Sequence, residues 1–364
     1  MAKRLVERSA KMGAQLVSAL QMITPGTLLR QAIDNIVRAR TGALLVFADE
    51  EQIRPIISGG IDIDVALKPM ILYELAKMDG AILLDRMGTH IIHANVQLMP
   101  DASIDSQETG TRHRTAERVA KQLGVLAISI SAARDVVTIY SDDVRYIMDP
   151  IRVILSKADQ ALQTMERFKN RLSQVTGTLS VLEFQERVTL FDVATVLQRA
   201  EMVLALSHLI ERYMIELGSE GRLVQLQMEE LLRGVREDRE AVLADYLPDP
   251  TPARLETARE ALMALPSDEL ILLESIGVIL GYAPSESVLE THVHPRGHRM
   301  LQKIPRLSQE AMQAVLERLG DLQAILKAPV EELAALQGVG ASSARDIKEG
   351  LLRLRDLDLP ERYR

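Results

Sequence analysis

The sequence predicts an α/β N-terminal domain with a central mixed sheet, followed by an all-α helical bundle and a C-terminal group of short helices. Three observations predict it. Apolar runs of strand length alternate with helical periodicity up to about residue 150. Strand signals then give way to long, charged helical stretches, and from His294-Pro295-Arg296-Gly297 the pattern breaks into short helices with tight turns. The 364 residues exceed one ordinary core, and the boundaries read as 1–150, 151–290 and 291–364.

In the first segment, Thr24-Pro25 offers a hydroxyl cap followed by Pro, a common helix opening. Leu28, Leu29, Ile33, Ile36 and Val37 then form one apolar stripe at helical spacing. Residues 42–47, 81–84 and 126–131 read as buried strands, and 136–140 is β-branched and strand-like. Helical stretches at 65–78 and 114–123 separate them. In the second segment, 156–175, 190–216, 223–246 and 254–265 carry helical periodicity. Gly177, Gly218-Ser219, Gly221 and Pro248-Asp249-Pro250 punctuate these helices. Their charge runs, such as 236–240, are solvated faces of a bundle that serves as spacer or oligomerisation element.

Composition narrows the function classes. Aromatics are 3% with no Trp, so the cores are built from Leu, Ile, Val, Ala and Met. The absence of Cys excludes disulfides, thiolate catalysis and Cys-ligated zinc, and suits a reducing compartment. No apolar run approaches the roughly 20 residues that span a bilayer. The basic Met1-Ala2-Lys3-Arg4 start lacks a signal-peptide core, so the expected location is the cytoplasm. A net charge of −8 argues against nucleic-acid binding by the whole surface. From Arg296 onward, however, 12 Lys+Arg face 10 Asp+Glu, so nucleic-acid contact is expected in the tail.

Two stretches of the first segment carry candidate chemistry. In the run from Glu108 to Arg118, a Gly precedes hydroxyls and cations that open a helix: Gly110-Thr111-Arg112-His113-Arg114-Thr115. Backbone N–H groups, the helix dipole and bidentate Arg suit a polyphosphate. A surface helix capped by Thr111 with solvated arginines fits the same residues, and spacing does not separate the two. Asp79-Gly80 lies between a helix and a strand. There a structural turn needing positive φ competes with a site in which Asp79 holds a metal or ribose hydroxyl. His90, His93 and His113 lack the partners of a zinc set, and His292, His294 and His298 read as surface or hinge residues. In the tail, Leu336-Gln337-Gly338-Val339-Gly340 forms a hairpin between helices packed by Leu333, Ile347 and Leu351. Backbone N–H groups at Gly338, Val339 and Gly340, with Arg345 and Lys348, suit a DNA phosphate; a plain helical corner is the alternative.

Together, Asp79-Gly80-Ala81, Ala94-Asn95-Val96-Gln97-Leu98 and the run from Glu108 to Arg118 resemble the diadenylate cyclase family. The tail, including Pro295-Arg296-Gly297 and Ile304-Pro305-Arg306-Leu307, resembles a helix-hairpin-helix domain joined to such cyclases, so the resemblance spans the chain. It departs from the family's usual pattern at Ile104-Asp105-Ser106 and at His298. The resemblance implies condensation of two ATP into cyclic di-AMP with release of two pyrophosphates. It implies that Asp79 engages the ribose 3′-hydroxyl and Mg2+ or Mn2+, that Gly80 and Leu98 line the nucleotide pocket, and that Thr111, Arg112, His113, Arg114 and Thr115 bind phosphates. It further implies face-to-face cyclase domains in a homo-octamer, and a tail that binds branched DNA in DNA-damage surveillance. The rival expectation is a noncatalytic DNA-binding scaffold that takes ATP only as a ligand.

Overall fold

The computed structural model describes residues 14–133, 135–266, 268–285 and 287–358. The basic Met1–Arg4 start and the Tyr363-Arg364 end lie outside them. The chain divides into two compact units, neither of them one continuous stretch. The first takes residues up to Gln160 together with Leu209–Leu226, and the second takes Ala161–His208 and the residues from Gln227. The first unit therefore includes a segment that the sequence boundaries assign to the bundle.

Among its described residues the first unit holds an eight-stranded mixed sheet: β1 Ala43–Phe47, β2 Ile57–Ser58, β3 Ile61–Ala66, β4 Ala81–Leu84, β5 His90–Leu98, β6 Leu126–Ile130, β7 Val137–Ser141 and β8 Val144–Ile147. The order is β2-β5-β4-β1-β6-β7-β8, with β3 also pairing β5. Only β1 and β4 run parallel among the described pairs, in the register Leu45↔Ile82 to Phe47↔Leu84. Successive side chains on a strand face opposite ways, so the sheet buries both faces. Leu45 and Phe47 join a core with Ile82, Leu84, Ile128 and Ile139, covered by α1 Ala14–Met22, α2 Leu28–Ala39 and, after the short α3 Glu50–Ile53, by α4 Pro69–Leu75. Leu44 and Val46 join Leu83 and Ala127 in a second core, covered by Ala116, Val119 and Ala120 of α5 Thr111–Leu123.

Three local expectations are corrected. The α2 cap is Thr27, whose hydroxyl accepts the Arg30 N–H at 3.1 Å; Thr24-Pro25 forms the preceding turn. The stretch 65–78 is not all helix, because Ile61-Asp62-Ile63-Asp64-Val65-Ala66 alternates as a strand and α4 starts only at Pro69. The cap of α5 is Gly110 rather than Thr111, and Gly110 has no side chain to bond the first-turn N–H groups.

The second unit is helical. It contains the end of α6 Ile151–Phe184, the start of α7 Leu190–Leu217, most of α8 Arg222–Leu232, then α9 Val235–Tyr246, α10 Pro252–Ala264 and α11 Leu273–Ile279. Gly177 does not interrupt α6, whereas Gly234, at φ +78, separates α8 from α9. Contrary to the sequence reading, the helical stretch Leu190–Tyr246 is long and apolar enough by composition to cross a membrane; 61% of that apolar window is buried inside the protein, as in a core helix. The remaining helices are α12 His298–Gln302, α13 Gln309–Leu319, α14 Leu322–Lys327, α15 Val330–Ala334 and α16 Ala341–Asp358. Met300, Leu301, Val315, Ile325, Leu333, Val339, Ile347 and Leu351 form their common core.

A buried ionic cluster ties α6, α9 and α12 of this unit together. Arg299 donates to Glu183 from Nε at 3.1 Å and from Nη2 at 2.5 Å, and to the Ser180 hydroxyl at 3.0 Å. The Tyr246 hydroxyl donates to Glu183 at 2.7 Å. Asp245 accepts the N–H groups of Gly297, His298 and Arg299 at 2.7–2.8 Å, which caps α12.

Candidate active site at one end of the mixed sheet

The candidate residues lie at the end of the sheet where β1 and β4 begin. Gly42 immediately precedes β1 and Asp79 and Gly80 immediately precede β4, the two strands that run parallel in the register Leu45↔Ile82. Across β4 lies β5, whose pairing Ala81↔Val96 brings Asn95 to Gly80 and Leu98 to the same end. Asp79 is exposed there, and Leu98 is half-buried against the α5-side core.

Gly80 is required for close approach, not for a left-handed turn. A Cβ on it would lie 2.3 Å from the Asn95 carbonyl carbon, 2.5 Å from Asn95 Cα and 2.6 Å from the Val96 nitrogen. Asn95 itself takes φ +54 where the β4–β5 register shifts, and its side-chain oxygen accepts the Gly80 N–H at 3.2 Å. A bulge on β5 therefore presses into the turn carrying Asp79. Asn tolerates left-handed backbone better than most residues, which is the one sequence signal that this position is special.

The start of α5 reaches the same end. Arg112 lies over Gly42: a Cβ on Gly42 would meet Arg112 Nη1 at 2.5 Å, and that nitrogen is 3.5 Å from the Thr41 carbonyl oxygen. The first helical hydrogen bond runs from Arg114 N–H to Gly110 oxygen at 2.9 Å. The N–H groups of Thr111, Arg112 and His113 thus form the open, positive end of the helix dipole. Thr111 is exposed and Thr115 is half-buried one turn later.

The cations of this helix divide by role. Arg118 donates to the carbonyls of Ile104 and Ala102 at 2.9 and 2.8 Å, and Lys121 to that of Asp105 at 3.1 Å. These side chains pin the 99–110 loop to α5. Arg114 holds the Glu108 and Thr109 carbonyls at 3.2 and 3.4 Å. Ser106 donates to Glu117 at 2.5 Å; that bond and the Lys121 ammonium hold the Glu117 carboxyl below its usual range, although its partial burial opposes them. His113 meets Tyr140 and, through it, Glu108, two partners that the sequence reading did not single out.

Among the described residues, no three of His, Cys, Asp or Glu come close enough to hold a metal ion. His93 pairs instead with Asp62 of the adjacent strand at 2.8 Å, and His90 lies by Thr89. A single exposed carboxylate at Asp79 fits a divalent ion that arrives already held by a nucleotide's phosphates, as Mg2+ commonly does.

In the tail, the turn between α15 and α16 places Gly338 at φ +83 and starts α16 after Gly340. Val339 is buried in the local core and its N–H donates to the Leu336 carbonyl at 3.0 Å, so it anchors the turn from within. Lys348 is likewise committed: its ammonium donates to the carbonyls of Leu326 and Ala328 at 2.6 and 2.7 Å, and burial lowers its pKa. Both therefore depart from the expected DNA-facing role. Arg345 and Gly340 are exposed.

Residues 30–144 match the family described as DisA bacterial checkpoint controller nucleotide-binding, and residues 148–289 match the DisA bacterial checkpoint controller linker region. The chain is 45% identical over 352 residues to the DNA integrity scanning protein DisA of Acidothermus cellulolyticus, covering 96% of this chain and 95% of that one. It is 44% identical over 341 residues to the DisA of Clostridium tetani, covering 94% of each. A crystal structure of DacA from Staphylococcus aureus is 23% identical, with a TM-score of 0.28, over 33% of this chain and 83% of that one. With near-complete coverage at this identity, the chain belongs to the DisA family of DNA integrity scanning proteins.

Proposed function

We propose that this chain is a diadenylate cyclase that condenses two ATP into cyclic di-AMP and two pyrophosphates. The observation that carries the reading is that the α5 start lies over Gly42 before β1 while Asp79 precedes the parallel β4, so a carboxylate and a cationic helix N-terminus belong to the same end of the sheet. Each ribose 3′-oxygen attacks the α-phosphorus of the facing ATP; one P–O bond forms as the bond to pyrophosphate breaks, and the hydroxyl proton leaves. Asp79 is the group suited to accept that proton. Arg112, Arg114, His113 and the open N–H groups of α5 hold the phosphates, with Thr111 and Thr115 adding hydroxyls and Gly80 and Leu98 lining the nucleotide. Mg2+ or Mn2+, when bound by Asp79 and the phosphates, would neutralise phosphoryl charge. One domain holds half the reaction, so two must face each other; a homo-octamer organised by the helical linker is the assembly we propose.

We assign residues 1–150 to the cyclase, 151–290 to the linker and 291–364 to a helix-hairpin-helix module binding branched DNA, acting in the cytoplasm. Support for the module is the Gly338 turn, the open start of α16 and the exposed Arg345. Incubating the full chain with ATP and Mn2+ tests the activity: cyclic di-AMP formed by wild type and abolished in Asp79→Asn is expected. Absence of product above background in the wild type would leave the noncatalytic scaffold instead. Arg345→Glu should weaken branched-DNA binding while cyclase activity persists; undiminished DNA affinity would overturn the tail assignment.

A further inference from the structure

His113 is reached by a chain of three polar groups, Tyr140, Glu108 and Arg145, to which the proposed reaction assigns no part. Tyr140 on β7 is 1% exposed, and its hydroxyl lies 2.9 Å from His113 Nδ1 and 2.9 Å from Glu108 Oε1. Arg145 sits directly opposite Tyr140 in the β7–β8 register, and its Nε lies 2.5 Å from the same Glu108 oxygen. The two rings meet edge to face, with centroids 6.3 Å apart. A loop, a helix start and an edge hairpin are thereby joined at one histidine.

The donors and acceptors in this chain constrain where its protons sit. Arg145 only donates, and the carboxylate it pairs with only accepts. Tyr140 has one proton, and the Glu108 carboxylate beside it can only receive it. Burial, together with the Glu108 carboxylate, pushes the Tyr140 phenol well above its usual range, so the proton stays on the ring oxygen. That oxygen then has only lone pairs to offer His113, and Nδ1 must be the N–H that donates to them.

We propose that Tyr140 and Glu108 are positioning residues that hold His113 as its Nδ1–H tautomer and thereby make Nε2 the nitrogen through which it meets an anionic ligand. The arrangement is the one by which a carboxylate orients a functional imidazole through its far nitrogen, here with a phenol interposed. It fixes ring orientation and lets Glu108 stabilise positive charge on the imidazole when Nε2 takes up a proton beside phosphate. The consequence for nucleotide affinity rests on the reading of the site as phosphate-binding; the tautomer does not.

Two measurements separate those levels. Neutron diffraction from the full-length protein locates the hydrogens directly. We expect deuterium on His113 Nδ1 and the Tyr140 deuteroxyl directed at Glu108; a bare Nδ1, with the Tyr140 proton turned to it, would overturn the proposal whatever the protein binds. Calorimetry with a nonhydrolysable ATP analogue then reads the functional consequence. Tyr140→Phe keeps the ring and should weaken binding about tenfold. His113→Asn should do the same, and the double variant should lose little more, because the phenol acts through the histidine. Glu108→Gln, whose carbonyl still accepts from Tyr140, should retain the tautomer. Additive losses in the double variant would refute the coupling, while absence of nucleotide binding by the wild type, with deuterium on Nδ1, would refute only the phosphate reading.

Discussion

Replacing Gly80 by alanine tests the geometry of the candidate site at its tightest point. The added methyl would sit 2.3–2.6 Å from three backbone atoms of Asn95 and Val96, where carbon contacts ordinarily begin near 3.5 Å. No side-chain rotation relieves a clash with backbone, so the start of β4 and the β5 bulge must part by about 1 Å. Overpacking of this kind costs about 1–3 kcal/mol. For a unit of this size each kcal/mol lowers Tm by roughly 2–4 °C, so a drop of about 2–12 °C is expected by calorimetry. Asp79 is the neighbouring residue and moves with that backbone. A displacement of about 1 Å at a reacting group costs about 100-fold in rate, so cyclic di-AMP formation should fall by that order while the protein remains folded at 25 °C. Asn95→Ala should not rescue it, because the obstructing atoms are main chain. A Gly80→Ala protein with wild-type Tm and wild-type turnover would refute the claim that the β5 bulge sets the position of Asp79.

Gly177 offers the opposite sign: it lies inside α6, and a Cβ added there would meet nothing within 4 Å beyond its own helix. Gly177→Ala should therefore raise stability by about 1 kcal/mol in urea unfolding, and a loss would contradict the open geometry. Arg299→Leu strands the buried Glu183 carboxylate and should cost about 3–5 kcal/mol, whereas Glu183→Leu with Arg299→Leu should recover most of it; a single-variant cost below about 1 kcal/mol would refute the cluster's role. Full burial, and next the nearby Glu183, push the Asp245 carboxyl up to about 7. Its folded pKa exceeds its unfolded value, so its stabilising contribution is complete below the unfolded pKa and is lost as pH rises through about 7. His298, whose pKa burial lowers, contributes oppositely but only as pH falls below its ordinary value, so from pH 6.5 to 8 the comparison with Asp245→Asn assigns the slope. Over that window the wild type should lose about 1 kcal/mol and Asp245→Asn should not; equal slopes would refute the assignment.

The parts legible in the sequence were those in which burial and periodicity coincide. β1 and β4 are continuous apolar runs because both faces of the sheet are covered, and the Leu29, Ile33 and Ile36 stripe faces that sheet as its spacing requires. β3 escaped because Asp62 and Asp64 alternate with apolar residues on an edge, and a helical reading ran into it from α4. The Thr24-Pro25 signal was sound turn chemistry displaced by one turn, since the competing hydroxyl of Thr27 reaches the free N–H. Residue types at Asp79 and in the 111–115 run are visible in the sequence, but their placement at one end of the sheet is not. It depends on the parallel register of β1 and β4 and on a bulge at Asn95, and neither leaves a local periodic trace.

Tyr140 likewise reads in the sequence only as a strand residue. A tyrosine in a β-branched run is what an edge-adjacent strand supplies for packing, and its ring does fill the α5-side core. Its hydroxyl becomes informative only when partners 27 and 32 positions away are brought to it. Lys348 makes the converse point: a cation beside a glycine hairpin reads as a phosphate contact, yet two carbonyls at the end of α14 need a donor and take it. A basic residue near a binding motif is therefore assigned to the ligand only after the protein's own unsatisfied acceptors have been counted. Arg345 spends its Nε on the Ala341 carbonyl of its own helix and stays exposed, which is why the proposed tail contact is tested there. Lys348 is part of the framework that presents it.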